Sequence, residues 1–266
     1  MAEQYRSIWT PEGSPLAVGT ARMARALGAA LGDAARVSHA FCYGPPDIAD
    51  CLRQALERGC RDLAVVPLFP QATGSTTGAI EDQVQAAVAS LEDAGLPARE
   101  RVRLAPVEPD CPHYVEALAA RCREAFEAAG GEPEHLMISF HGLPVRYDES
   151  EGGGYSRACG RTADALLEVL GWDRERVSRT WQSRFGREEW LTPATDTTLE
   201  ELPGRGVRSL AVVCPGFLTE GLETLEEIGM RGRESFEGAG GGPYTLVPAV
   251  EDHPAMVRSL ERAVGR

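Results

Sequence analysis

The chain has 266 residues, a formal net charge of −13 at pH 7 and a pI near 4.9. That length suffices for one large or two modest domains, each with its own core, and a two-lobed protein is the expectation. The acidity excludes a nucleic-acid partner, whose phosphates need a basic face, and because all 27 basic residues are arginine there is no lysine for a Schiff base.

The seven cysteines, Cys42, Cys51, Cys60, Cys111, Cys122, Cys159 and Cys214, are odd in number and include no C-x-x-C pair. Reduced thiols fit better than a disulfide frame or zinc knuckle, and an iron–sulfur cluster is not expected. Met1 to Glu12 lacks the apolar core of a signal peptide, and no apolar run approaches the ~20 residues of a membrane span. A cytoplasmic protein is expected, with peripheral membrane contact left open.

Tyr5 to Leu16, with its two prolines and a glycine, reads as irregular. Thr20 to Leu31 reads as an amphipathic helix, Val37 to Tyr43 as a strand, and Asp47 as the cap of a helix running to Arg58 before Gly59. Leu63 to Pro70 is the clearest strand of the first half. The hydroxyl and glycine loop Thr73 to Gly78 then offers backbone amides to an anion, although it lacks a Walker ending. A helix from Ile80 to Ala94, a strand from Val102 to Pro106 and a helix from His113 to Ala129 complete this half. Gly130-Gly131-Glu132-Pro133 marks a boundary between lobes 1–130 and 131–266.

The second half repeats the alternation, which is that of wound parallel sheets in an α/β protein. Leu136 to Phe140 is a buried strand that Gly142 and Pro144 stop, so His141 falls at its carboxyl end, where open α/β sheets bind ligands. The hexapeptide alone leaves a structural histidine open. A glycine-rich loop, a helix from Ser156 to Leu170 and a strand from Val177 to Gln182 follow. Gln182-Ser183-Arg184 and Trp190 beyond that strand suit a flat aromatic ligand with acidic edges; a packed indole and a surface arginine explain them equally well. Ser209 to Cys214 is the last strand, and Thr219 is positioned to cap a helix. On that helix Glu223 and Glu227 share a face, with Glu226 beside them. A solvated acidic face is one explanation. An imidazole and carboxylates on one rim also make a cation site with acid/base capacity.

Five blocks, SFHGLP, QSRFGREEWLTP, VVCPGFLTEGLETLEEI, YRSIWTPEGSPL and PLFPQATGSTTGAI, resemble the signature blocks of ferrochelatase in consistent order over nearly the whole chain. The resemblance implies two Rossmann-like (chelatase-like) lobes with a porphyrin in the cleft between them. It implies insertion of Fe²⁺, a substrate, into protoporphyrin IX to give protohaem, with no organic cofactor. His141 and Glu223 match the residues that handle metal and pyrrole protons. Glu227 is a secondary acidic residue, and Ser14, Tyr43 and Arg184 match porphyrin and propionate positions. The runner-up activities are a sirohydrochlorin cobalt or iron chelatase and an inactive tetrapyrrole-binding protein.

Departures from the family pattern carry their own expectations. Family members open with a further strand and an Asn-Leu-Gly motif, so the first lobe is expected to be incomplete. Cys42 stands in place of an arginine, Gly153-Gly154 in place of Asp-Pro, and Arg231 where an acidic residue would extend the row of Glu223 and Glu227.

Overall fold

Strand and helix alternate, and all the strand pairings are parallel. The computed structural model describes residues 2–265. In chain order its elements are α1 (Ala2–Ile8), α2 (Pro15–Leu31), α3 (Ile48–Glu57), β1 (Leu63–Val65), α4 (Ala79–Asp93), β2 (Val102–Leu104), α5 (Pro112–Ala128), β3 (His135–His141), α6 (Val145–Ser150), α7 (Gly154–Leu170), β4 (Val177–Gln182), α8 (Thr195–Glu201), β5 (Leu210–Val213), α9 (Arg233–Gly238), β6 (Tyr244–Leu246) and α10 (Pro254–Ala263). Two stretches are wound more widely as π-helix: Gly74–Gly78, leading into α4, and Leu222–Gly232, leading into α9.

The larger sheet runs β4-β3-β5-β6 and the smaller pairs β1 with β2. β3 has a partner on each edge, which is why its sequence is a continuous apolar run rather than an alternating one. Its side chains still alternate between two faces. Leu136, Ile138 and Phe140 join a cluster with Tyr114, Leu118, Leu166, Val257 and Leu260 from α5, α7 and α10. Met137 joins Leu199, Leu202, Ile228 and Phe236 on the other face. Burying side chains of this size contributes roughly 1.5–3 kcal/mol each. The strand carrying His141 is therefore the most firmly held part of its sheet. Around the smaller sheet, Ile48, Leu52 and Leu56 of α3 pack with Ile80, Val84 and Leu91 of α4. The Asp47 carboxylate caps α3 by accepting the Asp50 N–H at 2.7 Å, as expected.

Several expectations need correction. Tyr5 to Leu16 is not wholly irregular: α1 runs to Ile8 and α2 starts at Pro15, where a missing N–H costs a helix nothing. Val37 to Tyr43 is not a sheet strand. Phe41 donates its N–H to Pro46 at 2.9 Å, and no neighbouring strand among the described residues supplies a ladder. The strand expected to reach Pro70 ends at Val65, because Pro67 and Pro70 have no N–H to continue it. The Thr73 to Gly78 loop is helical, and its Gly74 N–H is taken by the Glu151 carboxylate at 2.8 Å, so the chain itself supplies the anion. Thr219 does not cap the following helix. That role falls to Thr224, whose hydroxyl accepts the Gly221 N–H at 2.9 Å, and the helix begins at Leu222.

Candidate active site

β3 ends at His141 and β4 ends at Gln182, and these two residues are register partners. The Gly142 N–H donates to the Gln182 carbonyl at 2.7 Å. Gly142 is required here because a Cβ would lie 2.6 Å from that oxygen and 3.0 Å from the Trp190 ring. The imidazole is half-buried at the rim, its centroid 6.3 Å from that of Phe217. Its Nδ1 lies 2.7 Å from the Gly142 carbonyl, which can only accept. Nδ1 therefore carries the ring proton, and in the neutral ring Nε2 keeps its lone pair. The Tyr155 hydroxyl donates to the His141 carbonyl at 2.7 Å and holds the backbone from behind.

Glu223 lies in the first turn of the π-helix, and the Gln182 Nε2 donates to its carbonyl at 3.0 Å. One residue thus touches the segments that carry His141 and Glu223. With hydrogen bonds from i to i+5, the wider turn keeps residues four apart in a row, so Glu227 follows Glu223 along one face. Ser183 donates its N–H and its hydroxyl to the two Glu227 carboxylate oxygens at 2.7 and 2.6 Å. Glu226 turns inward instead and is 7 % exposed. Arg231 does not extend the row: its Nε reaches both Glu226 oxygens, at 3.0 and 3.1 Å.

The other predicted residues are less closely gathered. Arg184 follows Gln182 by two positions and is exposed, with its guanidinium 3.4 Å from Asp196. Trp190 is 7 % exposed and packs with Phe185 at 5.0 Å, which favours the packed-indole explanation. Ser14 is half-buried between α1 and α2. Both helices adjoin the 219–226 segment: Gln4 donates to Glu226 at 3.2 Å, and a Cβ on Gly19 would lie 3.1 Å from Thr219. Tyr43 is 89 % exposed and makes no side-chain hydrogen bond to this group among the described residues.

Residues 1–266 match the ferrochelatase family. A ferrochelatase of Pectobacterium atrosepticum is 40 % identical over 266 residues, covering all of this chain and 81 % of its own length. One from Azoarcus sp. strain BH72 is 44 % identical over 265 residues, covering 99 % and 71 %. The chain belongs to the ferrochelatase family. Its fold resembles that of SirB from Bacillus subtilis, solved with Fe³⁺, at a TM-score of 0.64 and 16 % identity over 95 % of this chain and 92 % of the other. It also resembles CbiX, the terminal enzyme for siroheme biosynthesis in denitrifying bacteria, at a TM-score of 0.54 and 17 % identity over 99 % and 92 %. These likenesses establish the chelatase fold.

For a ferrochelatase the donor chemistry at this rim is apt, since imidazole nitrogen and carboxylate oxygen suit a borderline divalent metal. Cys214, one residue past β5, is buried, and burial first and then Glu220 and Glu227 push its thiol well above the usual range. A cavity of about 120 Å³ lies beside Glu227, lined by Gln182, Ser183, Arg184, Asp196 and Arg231 among others. It is too small for a tetrapyrrole, whose class of ligand fills ~300–1,000 Å³, but large enough for a few waters at ~30 Å³ each. Sequence reasoning does not give the contacts of Ser139, Tyr155 and Phe217 with this group, and it reads Gln182 and Ser183 only as polar groups at a strand exit. The signal that would have found Ser139 is a hydroxyl two residues before His141 in an otherwise apolar strand.

Proposed function

We propose that the enzyme inserts Fe²⁺ into protoporphyrin IX to give protohaem, with His141 and Glu223 as the working pair. The observation that carries this reading is the attachment of both segments to Gln182 at one strand-end rim. Metalation requires loss of two pyrrole N–H protons and dehydration of the cation. His141 Nε2, with its lone pair free, accepts a pyrrole proton. Glu223 receives the cation or a second proton, and Glu227 extends the carboxylate path toward the small polar cavity.

The porphyrin lies across the open rim. Arg184 exchanges its exposed Asp196 partner for a propionate, to which a guanidinium binds through paired hydrogen bonds. Tyr43 and Ser14 complete the contact, and the exposed Tyr5, Trp9 and Leu16 offer apolar surface beside Ser14. Walls that fit a distorted macrocycle better than a flat one expose the nitrogen lone pairs and favour the transition state.

The test is anaerobic Fe²⁺ with protoporphyrin and purified protein, followed by the absorbance of the metalloporphyrin. His141→Ala is expected to lower kcat by about 10²–10⁴, the usual contribution of a general base, while porphyrin still binds. Undiminished product from that variant removes His141 from the chemistry. Faster metalation of sirohydrochlorin than of protoporphyrin would assign the enzyme to the other tetrapyrrole.

A further inference from the structure

We propose that Gln182 is a positioning residue that sets the separation of His141 and Glu223, and that its side-chain amide is what makes the pair competent. This rests on the proposed roles of those two residues.

Gln182 is 2 % exposed, yet it is a polar side chain at the end of a strand. An amide buried without partners loses the hydrogen bonds it made to water, so its bonds matter. The amide orientation follows from its neighbours. The Glu223 carbonyl can only accept, so Nε2 faces it at 3.0 Å. That leaves Oε1 to accept the Ser139 hydroxyl proton at 2.8 Å. Ser139 and Thr195 lie 2.9 Å apart, and Thr195 is another 2.9 Å from Thr180, so buried hydroxyls back Ser139 from behind.

On the main chain, the Gln182 carbonyl holds Gly142, the residue next to His141, with no room for a side chain between them. Gln182 therefore grips this segment twice, at Ser139 within β3 and at Gly142 just past its end, and grips the π-helix once at the residue assigned to the metal. The three contacts form a bracket that ties the strand end carrying His141 to the first helical turn carrying Glu223. A shift of about 1 Å in such a pair is enough to lower a rate about 10²-fold.

Gln182→Glu keeps the shape but sets a carboxylate against the Glu223 carbonyl, two acceptors with no proton between them. Only the protonated acid can donate there. The expected result for Gln182→Glu is a kcat about 10- to 100-fold below wild type at pH 8, with the protoporphyrin KM unchanged. Activity relative to wild type is expected to recover as the pH is lowered. Gln182→Leu removes both bonds and is expected to show the same loss without recovery.

Ser139→Ala tests the bracket from the other end should Gln182→Leu fail to fold; it leaves Oε1 without its donor, and a several-fold loss of kcat is expected. All variants are compared with His141→Ala at matched melting temperatures. If His141→Ala is inactive while Gln182→Glu and Ser139→Ala keep wild-type kcat and pH profile, the positioning role is wrong. If His141→Ala is itself fully active, it is the assignment of the working pair that fails.

Discussion

Ser183 binds both oxygens of the Glu227 carboxylate, one through its N–H and one through its hydroxyl, while holding a φ of 62°. A left-handed serine is strained by roughly 1–2 kcal/mol, and such strain persists only where the surroundings hold it. Ser183→Ala and Ser183→Gly both delete the hydroxyl bond to a charged group, worth about 1.5–3 kcal/mol when desolvated and less at this half-buried site. Only glycine relieves the backbone. Urea unfolding is expected to place the alanine variant about 1 kcal/mol below the glycine variant. Equal stabilities would mean that Ser183 is not strained.

Gly142 sits between the Gln182 carbonyl and the Trp190 ring, and the clash there concerns space rather than φ. Gly142→Ala pushes the His141 segment away from β4. A destabilisation of about 1–3 kcal/mol is expected, as for other overpacked sites, together with a fall in kcat greater than any change in porphyrin affinity. Denaturant curves and steady-state kinetics on one preparation check both. A variant with wild-type kcat would show that the imidazole tolerates displacement.

Much of the second half of the chain is legible in the residues because β3 and β5 are buried on both faces and read as plain apolar runs bounded by glycine and proline. β6 escapes that reading. Tyr244-Thr245-Leu246 is too short to show a pattern, and it follows a run of glycines. The α8 segment, rich in threonine, has weak helix propensity and forms by packing on β4. The π-helix is invisible for a different reason. Over the eleven residues Leu222–Gly232 its spacing of apolar positions satisfies an α-helix just as well, and only the hydrogen bonds distinguish them. For the site, the strand-end rule predicts where His141 falls in the sheet, whereas the expected Thr219 cap does not form and the helix carrying Glu223 starts at Leu222. Their connection through Gln182 was not legible, because a buried amide in a strand carries no sign of which way it points.

His135 opens β3 at the opposite end from His141, 8 % exposed, with Nε2 2.9 Å from the Ser178 hydroxyl. Burial first, then Arg176 and Arg205, lower its pKa from the ordinary 6.5. The unfolded chain therefore takes up a proton at higher pH than the folded one does. Its contribution to stability is complete above about pH 6.5 and declines as pH falls from there toward the folded value, by at most ~1.4 kcal/mol per pH unit. His135→Gln, which keeps a polar partner for Ser178, is expected to flatten stability against pH in that window. Unfolding free energies between pH 5 and 7.5 decide it, and an unchanged slope would place the acid sensitivity elsewhere.

Arg231 stands four residues beyond Glu227 and beside the same cavity, but its guanidinium bonds Glu226, with Gln4 of α1 as the second partner of that carboxylate. Burial alone would raise the Glu226 pKa, but the Arg231 and Gln4 hydrogen bonds outweigh it and hold the carboxyl below the usual range. For a depressed carboxylate the stabilisation is present above the unfolded pKa, about 4.3, and is lost as pH falls through the folded value. Arg231→Ala leaves an unpaired, largely buried carboxylate and is expected to cost about 1–3 kcal/mol at pH 7, less than a fully buried pair because the guanidinium is half exposed. The deficit is expected to shrink as the pH is lowered and Glu226 protonates. Arg231→Glu adds a like charge beside Glu226 and is expected to be less stable still, while lowering the Fe²⁺ KM by lengthening the acidic row. A variant that loses stability but leaves the metal KM unmoved would confine iron handling to Glu223 and Glu227.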